Sequence, residues 1–146
     1  MKNILVTGSA GFIGKNLIQA LNRLEGVKIY PYDIGDDSNF LKEAVNKADI
    51  IFHLAGINRP EKEEEYEKGN VGFTRDLVSF IEANKLNPLI IFSSSIQAAL
   101  DNPYGRSKLK AERELDNWAK RSGGSVVIFR LPNVFGKWCR PNYNSA

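Results

Sequence analysis

Three glycines within eight residues, set between a short apolar run and a helical pattern, constrain this 146-residue chain more than any other feature. Ile4-Leu5-Val6 reads as a buried strand, and Thr7-Gly8-Ser9-Ala10-Gly11-Phe12-Ile13-Gly14 follows at once. Phe12, Ile13, Leu17, Ala20, Leu21 and Leu24 then recur at helical spacing, with Gly26 as a stop signal. A strand that feeds a helix through a tight turn predicts a parallel neighbour, because the helix carries the chain back to the level where the next strand starts.

The same alternation continues. Val27 to Tyr32 reads as a second strand, Phe40 to Ala48 as a helical stripe, and Ile50-Ile51-Phe52-His53-Leu54 as a third strand. A charged stretch from Glu61 to Lys68 leads into a helix carrying Leu77, Val78, Phe80 and Ile81. Leu89-Ile90-Ile91-Phe92 is a fourth strand, 106–121 a helix, Val126-Val127-Ile128-Phe129 a fifth strand, and 132–146 a loop. Continuous apolar strands separated by helices predict one α/β domain over 1–146, with a parallel sheet covered on both faces. Right-handed crossovers narrow this to a doubly wound, Rossmann-type sheet of about five strands, expected in the order 3-2-1-4-5.

Composition excludes several classes. With 42% hydrophobic and 25% charged residues the chain has an ordinary globular balance. One cysteine, Cys139, and one histidine, His53, leave no ligand set for zinc, so no metal is expected. No apolar run reaches the roughly 18 residues of a membrane span, and the first residues lack a signal-peptide core, so a cytoplasmic location and no membrane partner are expected. The net charge of +3 is dispersed, as in Lys108-Leu109-Lys110-Ala111-Glu112-Arg113-Glu114, which argues against nucleic acid.

The glycine loop carries the first chemical reading. Gly8 permits the turn, Gly11 lets a pyrophosphate approach the backbone, and Gly14 lets the helix pack on the sheet, while the helix start offers unpaired N–H groups to an anion. Gly8, Gly11, Phe12, Ile13 and Gly14 are therefore candidate dinucleotide-binding residues. Asp33 closes the second strand, where a carboxylate accepts from the ribose hydroxyls of NAD and repels the 2′-phosphate of NADP. Ile34 follows it, with no arginine to receive that phosphate.

Tyr104-Gly105-Arg106-Ser107-Lys108 puts a lysine four residues after a tyrosine, on one helical face. A free phenol titrates near 10, and an adjacent ammonium stabilises the phenolate, making the tyrosine a better proton donor. Ser93-Ser94-Ser95 ends the fourth strand, on the carboxyl edge where open parallel sheets bind ligands, and a hydroxyl there can hold a carbonyl oxygen.

These residues, with His53-Leu54-Ala55-Gly56, Asn70-Val71 and Arg130-Leu131-Pro132-Asn133-Val134-Phe135-Gly136, resemble the extended, nucleotide-sugar branch of the short-chain dehydrogenase/reductases (the NAD-dependent epimerase/dehydratase family). The resemblance implies that Ser95, Tyr104 and Lys108 are catalytic. It also implies that Leu54, Ala55, Gly56, Ser93 and Pro132 line the cofactor with Tyr104 and Lys108, that Asn133 faces the substrate, and that the chain acts as an NAD(P)-dependent oxidoreductase, with homodimers common in the family.

Narrower stretches resemble the capsular polysaccharide reductases of the CapF/WbjC type. They are Ala55-Gly56-Ile57-Asn58-Arg59-Pro60, Ser93 to Ala98, Asp101 to Gly105, and Phe135-Gly136-Lys137-Trp138-Cys139-Arg140 onward to Ser145. This implies reduction of the 4-keto group of a UDP-2-acetamido-2,6-dideoxyhexose, with Arg59, Lys137 and Arg140 as candidate contacts to the UDP-sugar. It also implies NADPH, against the NADH suggested by Asp33, and a longer protein with a substrate lobe and a cupin domain beyond Ala146. Two alternatives stay open: an epimerase or dehydratase with bound NAD, and a non-catalytic dinucleotide-binding fragment. A dehydratase wants an Asp-Glu pair beside the serine, which Ser94-Ser95-Ile96-Gln97 lacks.

Overall fold

The computed structural model describes residues 1–140. Five strands, β1 (Lys2–Thr7), β2 (Val27–Tyr32), β3 (Ile50–His53), β4 (Leu89–Ser95) and β5 (Ser125–Leu131), form one parallel sheet. Between them run α1 (Phe12–Leu21), α2 (Ser38–Lys47), a helical run of α3 (Glu64–Tyr66), a π-helical turn (Glu67–Gly72) and α4 (Phe73–Ala83), then a 3₁₀ turn (Ile96–Ala99) and α5 (Pro103–Ser122).

The doubly wound α/β architecture is as expected, but the strand order is corrected. Neighbours run β2-β1-β3-β4-β5, not 3-2-1-4-5. After α2 the chain crosses back over β1, so Ile4 pairs with Ile50 and Thr7 with His53. Pro31 supplies no N–H and most of β2 is partly or fully open to solvent, properties that suit an edge strand. β3 has Ile51 and His53 wholly buried and needs a neighbour on each side. The strand order therefore reverses between β1 and β3, which places the ligand crevice of an open α/β sheet at their carboxyl ends.

Local signals set the helix ends. Asp37 caps α2 by accepting from the Asn39 N–H at 2.9 Å. Asn102 caps α5 by accepting from the Gly105 N–H at 2.7 Å, with Pro103 in the first turn and Gly123 closing the helix at φ 69°.

Leu5, Ile51, Ile90 and Phe92 form one face of the core beneath α2, α4 and α5, where Val45, Ile81, Leu115 and Trp118 are also buried. Each large side chain withdrawn from water in this way contributes about 1.5–3 kcal/mol. The other face is thinner. Among the described residues only α1 covers it, over Ile4 and Val6, and Val127 and Phe129 of β5 remain 41% and 53% exposed.

No helix among the described residues is long and apolar enough to cross a membrane.

Candidate active site

The glycine loop forms a backbone cradle. Gly8 adopts φ +71°, and a side-chain carbon there would lie 2.7 Å from the Ala55 nitrogen and 2.8 Å from the Leu54 carbonyl carbon. At Gly14 such a carbon would lie 2.8 Å from Ser9 Cα and overlap the Gly8 carbonyl oxygen. Gly11 occupies the cap position of α1 without a side-chain hydrogen bond, so the helix start keeps its N–H groups for an anion. The residues present thus fit a pyrophosphate: a close backbone approach, no side chain in the way, and an uncapped helix dipole.

Asp33 is tied to this loop. Its Oδ2 accepts from the Ala10 N–H at 2.7 Å and its Oδ1 from the Ile34 N–H at 2.7 Å, while its own N–H donates to Asp36 Oδ2. Two carboxylates therefore meet at the end of β2.

His53 is fully buried between two hydroxyls. Thr74 Oγ1 donates to the Asn70 carbonyl at 2.8 Å, so it accepts from His53 Nε2, also at 2.8 Å. His53 Nδ1 then accepts from Thr7 Oγ1 at 2.9 Å, and Thr7 in turn accepts from the Ala55 N–H at 3.2 Å. Burial, aided by the Lys108 charge, lowers the His53 pKa to about 3. A neutral imidazole thus closes a relay from the loop after β3 to the π-helical turn.

This has a measurable consequence. A histidine depressed below its unfolded value of 6.5 contributes stability that is complete above pH 6.5 and is lost as pH falls toward 3. The chain should lose up to about 1 kcal/mol per pH unit across that window in urea titrations. His53→Leu should flatten this dependence while costing about 2–4 kcal/mol at neutral pH, because two buried hydroxyls lose their partner.

The π-helical turn brings a residue with no role in the sequence reading, Asn70, to the site. Its Oδ1 accepts from the Ile57 N–H at 2.8 Å, and its Nδ2 donates to the Ile57 carbonyl and to Ser107 Oγ at 2.9 Å. Ser107 donates onward to the Tyr104 carbonyl at 2.7 Å. Asn70 therefore locks the 54–58 loop to the first turn of α5. The signal that could have found it is Gly69-Asn70-Val71-Gly72, a small-residue interruption in a helical run, where extra-residue turns form.

The Tyr104–Lys108 pair sits at the capped start of α5. Gly105 packs so closely on the 3₁₀ turn that a side-chain carbon would overlap the Gln97 carbonyl oxygen. The Lys108 ammonium is buried, donates to the Ser93 carbonyl at 3.2 Å, and lies 5.8 Å from the Tyr104 ring centre. Burial lowers its pKa to about 8, against a smaller opposing effect of Glu112. A side-chain carbon at Gly56 would lie 3.1 Å from this ammonium, so the cofactor-loop and tyrosine halves of the site are contiguous.

The three serines have separate partners. Ser93 offers its carbonyl to Lys108, Ser94 donates to Glu112 at 2.6 Å, and Ser95 Oγ accepts from the Gln97 N–H at 3.1 Å. Ser95 pairs in register with Leu131, after which Pro132 and Asn133 leave the sheet. Gly136 lies against the Phe12 ring, and Asn16 Nδ2 donates to the Lys137 carbonyl at 2.9 Å. Five residues reach about 17 Å at most, and three strand spacings take about 14 Å, so 132–136 crosses the carboxyl ends of the sheet almost straight. That path delivers Lys137 to α1, with its ammonium 4.7 Å from the Trp138 ring centre. Arg140 is exposed beyond it, and Arg59 is exposed on the segment after β3. Residues 141–145 of the last sequence motif lie outside the described residues.

Comparison with known proteins identifies the family and supports the fold. Residues 4–146 match the sequence family described as the NAD dependent epimerase/dehydratase family. The chain is 47% identical to the UDP-2-acetamido-2,6-beta-L-arabino-hexul-4-ose reductase of Pseudomonas aeruginosa, across 98% of its own length and 38% of that protein's. Among solved structures it is similar to the capsular polysaccharide assembling protein CapF of Staphylococcus aureus, at 46% identity and a TM-score of 0.84, across 98% of this chain and 39% of that one. The UDP-glucuronic acid 4-epimerase of Bacillus cereus, in complex with NAD, matches at 25% identity and a TM-score of 0.84, across 98% of this chain and 60% of the epimerase. The chain thus spans less than two fifths of the length of the first two relatives.

Proposed function

Because the chain belongs to the NAD dependent epimerase/dehydratase family, we propose that it is the dinucleotide-binding part of a nucleotide-sugar ketoreductase. Its substrate in this reading is a UDP-2-acetamido-2,6-dideoxyhexos-4-ulose, the sugar class in the name of the Pseudomonas relative. The observation that carries it is the buried Lys108 ammonium, held beside Tyr104 and against Gly56 of the loop that packs on the glycine cradle.

The nicotinamide group, when bound, supplies hydride to the C4 carbonyl carbon. Tyr104 donates its phenolic proton to the carbonyl oxygen, and the Lys108 charge stabilises the phenolate left behind. Ser95 donates a hydrogen bond to the same oxygen as negative charge builds there. The start of α1 binds the pyrophosphate, with Gly8, Gly11, Phe12, Ile13 and Gly14 as its frame, and Leu54, Ala55, Gly56 and Pro132 line the rest of the cofactor. Asn133 and Arg59 face the sugar nucleotide. Lys137, its backbone held against α1 and its ammonium over the Trp138 ring, is with Arg140 a further candidate contact to the sugar nucleotide.

Asp33 sets the preferred cofactor. A carboxylate at the end of β2, with Asp36 bonded to its backbone and no cation in residues 33–38, would accept from ribose hydroxyls and repel a 2′-phosphate. NADH is therefore favoured over NADPH.

A second reading, epimerisation with retained NAD, gains support from the same Asp33 and from the NAD-bound epimerase structure. Turnover separates the two. The full reading frame carrying this chain is mixed with NADH and the UDP-4-keto sugar, and nicotinamide absorbance is followed. One NADH oxidised per sugar consumed is expected; interconversion of sugars with no net oxidation would replace the reductase by the epimerase.

A further inference from the structure

A buried carboxylate lies one helical turn beyond Lys108, and the proton-transfer scheme above does not use it. Glu112 is 5% exposed. It accepts from Ser94 Oγ at 2.6 Å and takes a two-pronged bond from Arg130, Nε at 2.9 Å and Nη2 at 2.7 Å. Ser94 and Arg130 are themselves register partners on β4 and β5. One carboxylate thus joins α5, β4 and β5 directly beneath the serine turn.

The residues on either side of Ser94 are the ones the site depends on. Ser93 gives its carbonyl to Lys108, and Ser95 carries the hydroxyl aimed at the substrate in the reading above. Holding Ser94 by its side chain fixes the backbone on both sides of it. Burial alone would push the Glu112 carboxyl up, but hydrogen bonds from Arg130 and Ser94 and the charges of Arg130 and Lys108 hold it below its ordinary value. It is therefore ionised at neutral pH and supplies the negative charge nearest the buried ammonium on its own helix.

We propose that Glu112 is a positioning residue for carbonyl reduction, fixing Ser93 and Ser95 through Ser94 and acting as counter-charge to Lys108. The proposal rests on the reductase reading of Ser95, Tyr104 and Lys108. The charged or titratable groups facing Lys108 are Glu112 and Tyr104 on α5, His53 on β3 and, across the carboxylate, Arg130 on β5; the π-helical turn contributes the neutral Asn70.

Two readouts test it. The first is competitive acetylation of the chain across the alkaline range, with the Lys108 peptide read by mass spectrometry, which needs neither cofactor nor turnover. Glu112→Gln should move the Lys108 titration down by about one pH unit, and Glu112→Asp should restore part of the shift. Arg130→Met removes a cation from the far side and should not lower it, whereas a merely structural role would perturb both variants alike. The second is turnover of the full reading frame, where Glu112→Gln should lower kcat about 10–100-fold with KM for the dinucleotide within about 3-fold, the pattern of a lost transition-state interaction.

An unchanged Lys108 titration and an unchanged kcat in Glu112→Gln, with only a lower melting temperature, would overturn the proposal. Failure of the wild-type protein to turn over would instead count against the reductase reading, and the acetylation experiment would still decide whether Glu112 governs Lys108.

Discussion

Replacing Tyr104 with phenylalanine is expected to slow carbonyl reduction by about 10²–10⁴-fold, the range for loss of a positioned proton donor. The phenol alone titrates near 10 and is a weak acid at neutral pH. The buried Lys108 ammonium, 5.8 Å from the ring centre, favours the phenolate. Phenylalanine keeps the ring and its tilted contact with Tyr66 at 5.8 Å between ring centres. The urea midpoint should therefore hardly move, and dinucleotide affinity should stay within about 3-fold, since the change is confined to a proton-transfer group. A variant that retained more than a tenth of the wild-type kcat would remove Tyr104 from the role of acid.

Gly8→Ala and Gly14→Ala should each weaken dinucleotide binding by about 100-fold or more and destabilise the chain by about 3 kcal/mol, through named steric mechanisms. At Gly8 the positive φ and the Ala55 and Leu54 backbone act together, and neither can yield without moving β1 away from β3. At Gly14 the opposing atoms belong to the loop that would hold the pyrophosphate, so relief of the clash displaces the binding site itself. Gly26→Ala supplies the control. Gly26 also has a positive φ, +72°, but nothing lies within 4 Å of the added carbon. It should cost only about 1 kcal/mol of backbone strain and leave binding intact. Urea denaturation and calorimetry on the three variants distinguish a cradle from an ordinary turn.

Much of the fold is legible because strand and helix periods differ. Val27 to Tyr32 reads as a strand and is one to the residue. Strand order is less legible, since it depends on which strand can tolerate an edge, and Pro31 and Lys28 give that away only once the alternatives are compared. In the site, the glycine loop, Asp33 and the Tyr104–Lys108 pair announce themselves by spacing along a single element. Asn70 is less legible, because Gly69 and Gly72 mark an interrupted helical run without showing which way the widened turn will swing an amide. Glu112 and Arg130 are hidden for a related reason. They stand 18 residues apart on a helix and a strand, and only tertiary packing shows that Ser94 lies between them and that the three serines have three different partners.

In the reading proposed above, this chain holds a dinucleotide across the β1–β3 crevice through the glycine cradle and Asp33. Calorimetric titration of the chain with NADH and with NADPH tests it most directly. Both are expected to bind, NADH at least about tenfold more tightly, a difference of about 1.4 kcal/mol. No heat from either nucleotide at millimolar concentration would contradict the cofactor site, and tighter NADPH binding would remove Asp33 from the ribose while leaving the cradle in place.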